Sequence, residues 1–327
     1  MQGEIKMSKL MKKNKKSRLE KLAEASEKDP VFDEEKEKKE SKESEVEHKE
    51  KTPKIEKWVS FDKLDSPVKL LCFQEHYLHY SHLCFVLKNN PNSIQTVTLN
   101  EKDGCMTDSS RNFTETEKEI FSLSSFNAGC AAATGDYVKI FYHDDGASID
   151  KRLKEKGLFA DDFCVSYASF SNDLRRLVSI RERNFLMADF VKNGVFNWHL
   201  SGSIATGDFK TYDPKSYITA ASLRNKSNIV DIVYNNRNII TWDLSTELDT
   251  AEIATYDSDI TDLATHPKDK YLALTTQKGG LRIIDMENKT QNEINHGSKL
   301  NCVDFSQNGE YVAVGDENGG MHFYKIG

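Results

Sequence analysis

The sequence of 327 residues contains no apolar run close to the ~18 residues that a membrane-spanning helix requires. Its lysine-rich N-terminus is not followed by an apolar stretch, so a secretory signal peptide is not expected. The six cysteines show no paired spacing, which is typical of a reducing compartment where cysteine serves as a small core residue. These absences predict a soluble intracellular protein without a membrane partner.

Aromatic residues are almost missing from the first 57 positions, which hold a single Phe but 17 basic and 15 acidic side chains. Such a segment buries too little apolar surface to offset its chain entropy, so residues 1–56 are predicted to be a disordered Lys/Glu-rich tail and residues 57–327 the folded domain. A basic cluster near the N-terminus is typical of a nuclear-localisation signal or an RNA-contacting arm, with a plain solvated tail as the alternative. The cluster comprises Lys12, Lys13, Lys15, Lys16 and Arg18.

The remainder of the chain is net acidic, with 28 basic and 37 acidic side chains after Lys57. Nucleic-acid affinity depends largely on Lys and Arg that neutralise phosphates. The folded part is therefore not expected to bind nucleic acid broadly, whereas protein partners remain compatible with this charge.

Internal repeats are the strongest signal in the folded part. Three segments align without gaps, each at the end of a run of alternating apolar residues: FSNDLRRLV (170–178), THPKDKYLA (265–273) and FSQNGEYVA (305–313). Alternation with a period of two predicts a half-buried strand, and Asn308-Gly309 or Lys268-Asp269 suits a tight turn. Each segment thus predicts a two-stranded hairpin.

A second pattern, a polar turn followed by a third alternating strand, occurs four times. It reads SIRERNFLMAD (179–189), VYNNRNIITWD (233–243), LTTQKGGLRIID (274–285) and VGDENGGMHFYK (314–325). A shorter version lies at 126–142, and residues 68–99 hold a divergent copy with three strands.

These repeats resemble those of WD-repeat proteins, in which a unit of roughly 40 residues forms one four-stranded blade of a β-propeller. Trp242-Asp243 is the one literal WD dipeptide, and His296-Gly297 is the nearest counterpart of the Gly-His that usually precedes the first strand. The resemblance covers about residues 58–327 and implies an all-β, WD-repeat-type β-propeller. It implies little about function, because this fold carries many unrelated activities.

The spacing of the repeats predicts six blades, and a seventh would require a degenerate unit within 191–216. First strands are expected to begin near Val68, Ile120, Cys164, Tyr217, Ile260 and Leu300. Two long intervals are interpreted as insertions, at 101–119 and 201–216, whose role is left open. The last blade lacks a fourth strand, and we expect the alternating segment Trp58–Phe61 to pair with it and close the ring.

Motifs for catalysis or cofactor binding are missing: the sequence has no phosphate loop, no nucleophile elbow and no H-E-x-x-H. The interpretation is therefore a protein that is not an enzyme, with no cofactor, no metal site and no small-molecule substrate. His76, His79 and His82 lie between Cys72 and Cys84, but this spacing matches no zinc module. Both cysteines are predicted as core residues of adjacent strands, and metal binding by the three histidines is left open.

The candidate recognition surface is the rim formed by the turns between the second and third strand of each blade. Arg and Asn side chains in such a ring can bind peptide carboxylates or backbone groups, although surface turns are polar in any protein. We call the following residues the predicted rim: Arg181, Arg183, Asn235, Asn236, Arg237, Lys278, Asp316 and Asn318.

A propeller joined to a basic, disordered arm favours a non-catalytic WD-repeat scaffold for protein–protein interactions in a nuclear or nucleolar assembly, with ribosome biogenesis as one setting. In this interpretation the N-terminal arm contacts RNA or acidic partners. The alternatives are a cytoplasmic or cytoskeletal adaptor and a chromatin-peptide reader.

Overall fold

The computed structural model describes residues 52–61, 64–77, 80–100, 102–126, 129–134, 138–142, 151–152, 163–170, 176–183, 192–201, 204–211, 218–225, 227–243, 245 and 250–327. The chain divides into two units, Met1–Glu50 and Lys51–Gly327, and the fold concerns the second. Every regular element in the described ranges is a β-strand. None of these residues belongs to a helix of the length and apolarity needed to cross a membrane.

In the described ranges, twenty-four strands form six antiparallel sheets of four strands each, numbered I to VI in chain order. The chain enters with β1 (Ile55–Phe61). Sheet I contains β2 (Val68–Tyr77), β3 (Tyr80–Leu87), β4 (Asn90–Asn100) and β5 (Met106–Glu115). Sheet II contains β6 (Ser122–Phe126), β7 (Gly129–Ala133), β8 (Val138–Tyr142) and β9 (Lys151–Arg152). Sheet III contains β10 (Phe163–Phe170), β11 (Arg176–Arg183), β12 (Lys192–Ser201) and β13 (Ile204–Thr211).

The remaining sheets follow the same up-and-down order. Sheet IV contains β14 (Ile218–Leu223), β15 (Ile229–Tyr234), β16 (Asn238–Asp243) and β17 (Thr250–Thr255). Sheet V contains β18 (Ile260–Thr265), β19 (Tyr271–Thr276), β20 (Gly280–Asp285) and β21 (Gln291–Asn295). Sheet VI contains β22 (Leu300–Phe305), β23 (Tyr311–Asp316), β24 (Met321–Ile326) and, as its outer strand, β1.

The predicted pairing of the N-terminal segment with the last strand is confirmed. Strand β1 runs antiparallel to β24, with Ile55 opposite Ile326 and Phe61 opposite Met321. Trp58 lies against Tyr311, with ring centroids 4.7 Å apart. Residues at the two ends of the folded unit therefore share one sheet, and the outer edge of β24 is covered.

The first strands of the six sheets are neighbours in a cyclic order. Strand β2 contacts β6 and β22, β10 contacts β6 and β14, and β18 contacts β14 and β22. The apolar clusters lie between successive sheets: Leu71 and Phe85 of sheet I pack with Phe323 of sheet VI, and Leu281 of sheet V packs with Val314 of sheet VI. Burial of these facing surfaces, rather than hydrogen bonding between sheets, is the main source of cohesion.

Partly buried carboxyl groups add specific links between first strands. The carboxylate of Asp262 in β18 accepts the N–H of Val303 in β22 at 3.0 Å, and that of Asp304 accepts the N–H of Phe73 in β2 at 2.8 Å. Burial raises the pKa of both carboxyl groups to about 7. These links fix how β18 lies against β22 and how β22 lies against β2.

The predicted first strands agree with the observed ones within two residues, but the interpretation of two segments as insertions was wrong. Residues 101–119 contain β5, and residues 201–216 contain β13, so each supplies the fourth strand of its sheet. The third strand expected to end at Asp189 is instead β12, which begins at Lys192. Polar outer strands such as MTDSSRNFTE lack the apolar alternation of a half-buried strand, which is why the pattern did not reveal them.

Candidate functional site

The turns between second and third strands lie beside the loops that lead into first strands. In sheet IV the turn carbonyl of Asn236 accepts the N–H of Ile260, and that of Arg237 accepts the N–H of Tyr256. In sheet V the Gly279 carbonyl accepts the N–H of His296. Turns and entering loops therefore share one edge of the molecule, which we call the loop edge.

Three predicted rim residues lie in the turn between β15 and β16. Asn235 and Asn236 have φ values of 50° and 61°, a left-handed pair typical of a tight hairpin turn, and Asn tolerates this region better than most residues. The Nε of Arg237 donates to Asp259 at 2.7 Å across an exposed ion pair. The turn therefore presents polar groups on a defined backbone.

Lys278 and Asn318 occupy the matching turns of sheets V and VI, and both side chains are exposed. The Nζ of Lys278 lies 3.7 Å from a carboxylate oxygen of Asp257. Both positions are accessible from solvent, and their role in binding a partner stays a prediction.

Asp316 differs from the expectation for a rim residue because it is only 4% exposed. Its Oδ1 accepts the N–H groups of Asn318 at 2.8 Å and Gly320 at 2.7 Å. Burial alone would raise the pKa of this carboxyl, but the hydrogen bonds from the Gly320 N–H and from His322 outweigh it and lower the pKa. Asp316 therefore stabilises the turn and is not available to a partner on the rim.

Two other sets of predicted residues do not lie in a described turn. Arg181 and Arg183 lie within β11, opposite Gly194 and Lys192 of β12, rather than in a turn. The arm residues Lys12, Lys13, Lys15, Lys16 and Arg18 lie outside the described residues.

The loop edge contains a depression of about 550 Å³ where five of the sheets meet. Asn236 is the predicted rim residue that lines it, together with Gln277 and Glu317 of the next two turns. The other lining residues come from the loops and strand starts: Pro67, Lys69, Lys88, Glu119, Thr219, Ile260, Thr261, Lys299 and Asn301. Sequence reasoning missed these positions, although the repeat register places most of them at the start of a first strand.

The lining of this depression carries charges of both signs. The Nζ of Lys69 is 2.5 Å from the Glu119 carboxylate and 2.7 Å from the carbonyl of Ile120. Phe121, beside this pair, is 43% exposed and lies with its ring centroid 5.5 Å from the Lys69 Nζ. An exposed aromatic ring next to mixed charges is typical of a protein-binding surface rather than of a phosphate-binding one.

The two cysteines of the histidine–cysteine segment lie in the core of sheet I. Cys72 and Cys84 are opposite each other in β2 and β3 and are buried, as predicted. Hydrogen bonding to Cys130 together with burial raises the pKa of the Cys72 thiol, which disfavours the thiolate that a metal needs. His82 contacts Thr98, with 2.9 Å between Nδ1 and Oγ1.

No protein-family model matches the chain. A stretch of 104 residues, 31% of the chain, is 31% identical to Pre-mRNA-processing factor 19 of Dictyostelium discoideum. The match covers 18% of the length of that protein, so the chain spans less than a fifth of this relative. The chain is thus similar in part to a pre-mRNA-processing factor.

Proposed function

We propose that this protein is a non-catalytic scaffold of a nuclear RNA-processing assembly, built as a six-bladed propeller of the WD-repeat type. The observation that carries the functional part is the similarity to a pre-mRNA-processing factor. A nuclear location follows from the same similarity and from the basic cluster in the N-terminal segment.

The propeller is supported by the arrangement of the sheets. Six four-stranded sheets contact one another in cyclic order through their first strands, and β1 completes the last sheet. A closed ring of this kind leaves only short sheet edges exposed, which suits a rigid body that presents several surfaces to partners.

The loop edge is the proposed partner surface. The exposed ring of Phe121, the depression beside it and the turn residues Asn236, Lys88 and Lys278 together supply an aromatic anchor with a polar surround. Interfaces between proteins commonly have this composition, in which a few aromatic side chains contribute most of the binding energy.

Affinity purification of the tagged full-length chain, with and without ribonuclease, tests this proposal. We expect recovery of a stable set of nuclear pre-mRNA-processing proteins. A Phe121→Ala, Lys88→Ala variant should lose part of that set, whereas Glu310→Ala, an exposed substitution in the hairpin turn at the opposite end of β23, should not. Recovery of cytoskeletal proteins or histone tails instead would contradict the proposal and favour an adaptor or a chromatin reader.

The arm is tested separately in the full chain by substituting alanine for Lys12, Lys13, Lys15, Lys16 and Arg18. The proposal expects loss of nuclear accumulation, or loss of those partners that ribonuclease also removes. A nucleolar location and a role in ribosome biogenesis remain predictions from the sequence. They would be favoured over pre-mRNA processing if the purified set consisted of ribosomal precursor proteins.

A further inference from the structure

Two histidines and an aspartate converge where the loop after β21 meets the turn between β23 and β24. The Nε2 of His322 lies 3.1 Å from Oδ2 of Asp316, and the Nε2 of His296 lies 3.7 Å from the same oxygen. The ligand-bearing atoms of the three side chains all lie within 4.8 Å of one another. We call this cluster corner VI.

A hydroxyl group lies at the other nitrogen of each ring. Ser60 Oγ is 2.9 Å from Nδ1 of His322, and the Tyr324 hydroxyl is 3.2 Å from Nδ1 of His296. In a neutral imidazole one nitrogen carries the proton and the other a lone pair. When the Nδ1–H of each ring donates to its hydroxyl oxygen, both Nε2 lone pairs are available to a metal ion, which would take the place of the hydrogen bond from His322 to Asp316.

The separations suit a small divalent ion. Zinc binds imidazole nitrogen and carboxylate oxygen at about 2.0–2.2 Å in a tetrahedral arrangement, which places neighbouring ligand atoms about 3.3–3.5 Å apart. The two distances to the Asp316 oxygen, 3.1 Å and 3.7 Å, bracket that range. The ligand atoms of the two histidines lie within 4.8 Å of each other, so three bonds would require side-chain movements of up to about 1 Å.

Corner VI also has an approach from solvent. A cavity of about 410 Å³ adjoins it, lined additionally by Lys57, Gly297, Ser298, Asn318 and Gly320. His322 is 3% exposed and therefore held in place, whereas the cavity leaves room for a water molecule as a fourth ligand. Three fixed ligands and one open position are the arrangement of an exchangeable rather than a closed structural site.

The backbone of this corner does not require two histidines and an aspartate, because the equivalent corner of sheet V has other side chains. Forty positions earlier, Tyr256, Thr276 and Arg282 stand in place of His296, Asp316 and His322. There the Arg282 guanidinium lies 4.5 Å from the centroid of the Tyr256 ring, and Thr276 alone accepts a turn N–H, that of Gly280. We call this arrangement corner V.

We propose that His296, Asp316 and His322 bind one zinc ion, with the fourth coordination position open to the adjoining cavity. The proposal concerns a site that neither the WD-repeat resemblance nor the scaffold function requires. The test of the zinc site therefore does not depend on whether the proposed fold family and scaffold function are correct.

Metal titration of the full-length protein tests the proposal. The chelator-treated chain is titrated with Zn²⁺ in competition with a chromophoric chelator, and Co²⁺ is added separately to record visible absorption. We expect one equivalent of tightly bound zinc and a Co²⁺ spectrum of tetrahedral type. His322→Gln and His296→Gln should each lower zinc affinity at least tenfold, and Ser60→Ala about tenfold, since outer-shell partners contribute 10–100-fold.

The matched control is the double variant His76→Gln, His79→Gln, which removes two histidines of the sequence-predicted cluster and should leave zinc affinity unchanged. Melting curves in excess EDTA report whether each variant is folded. Absence of a zinc equivalent in the wild-type protein overturns the proposal even if a variant fails to fold. Wild-type zinc affinity in both His322→Gln and His296→Gln, or loss of zinc binding in the control variant, also overturns the proposal.

Discussion

Corner V and corner VI share a backbone turn but hold it with different side chains. In sheet V, Thr276 Oγ1 accepts one N–H, and Arg282 lies over Tyr256 while its Nε is 2.9 Å from Glu293. In sheet VI, the Asp316 carboxylate accepts two N–H groups and also contacts His322. The turn requires a short side chain that accepts a hydrogen bond, which is Thr276 in corner V and Asp316 in corner VI. The other two positions of each corner tolerate different side chains.

The largest expected effect concerns a feature that sheets V and VI have in common, a partly buried carboxyl group in the first strand. Burial raises the pKa of Asp262 and Asp304 to about 7, well above the ordinary value of 3.8. The folded state then retains protons that the unfolded state loses, so the stability they contribute is full below about pH 4 and lost as pH rises to about 7. Together the two groups should change the free energy of unfolding by several kcal/mol.

Urea denaturation of the full chain at a series of pH values measures this effect. Asp262→Asn, which cannot ionise, should flatten the decline between pH 4 and 7. An unchanged slope in that variant would show that Asp262 does not carry a raised pKa.

The next largest effect separates the two corners. Asp316→Ala leaves the N–H groups of Asn318 and Gly320 without their acceptor and should cost about 3 kcal/mol. Thr276→Ala removes a single neutral acceptor and should cost about 1 kcal/mol. Chemical denaturation of both variants checks the difference, and equal costs would mean that the carboxylate is no more important than the hydroxyl.

A third difference lies in the hairpin turns at the other end of the same sheets. Sheet V uses Asp269 at a φ of 58°, whereas sheet VI uses Gly309 at 78°. A Cβ at Gly309 would overlap the ring of His266 in sheet V, so Gly309→Ala should cost about 2 kcal/mol in unfolding free energy. The control Asp269→Asn keeps a side-chain oxygen for the N–H of Asn225 and tolerates the left-handed region, so it should change stability by less than about 1 kcal/mol. A neutral Gly309→Ala variant would mean that His266 moves aside at little cost.

The smallest effect belongs to corner V alone. Arg282→Ala removes a cation–π contact and a partly exposed ion pair with Glu293, and should cost about 1 kcal/mol. Salt screens the ion pair, so the cost should shrink when denaturation is repeated in ~1 M NaCl. A cost that stays constant with salt would assign the effect to packing of the side chain on Tyr256.

Prediction from sequence succeeded where a strand carries a regular apolar pattern. The first strands that begin at Val68, Ile260 and Leu300 were placed correctly because burial imposes apolar alternation on them. The fourth strands β5 and β13 were missed because they pair along one edge only, and their residues need not alternate. Propensity alone does not distinguish such a strand from a polar loop.

The candidate sites were less accessible from sequence. The turn Asn235–Arg237 was identified, because the repeat register places it between the second and third strand of its sheet. The burial of Asp316 and the exposure of Phe121 were not predicted, because each depends on residues distant in the chain. Phe121 follows the polar segment that had been interpreted as an insertion.

The sequence by itself determined the repeating unit, since alternation, tight turns and a period of about 40 residues are local consequences of backbone geometry and burial. It also determined that β1 would pair with the last strand, because an unpaired edge and an unassigned strand remained. Only the tertiary structure decided which side chains meet. His296, Asp316 and His322 lie on a loop, a strand end and another strand, and their convergence depends on how three chain segments pack, which no local pattern records.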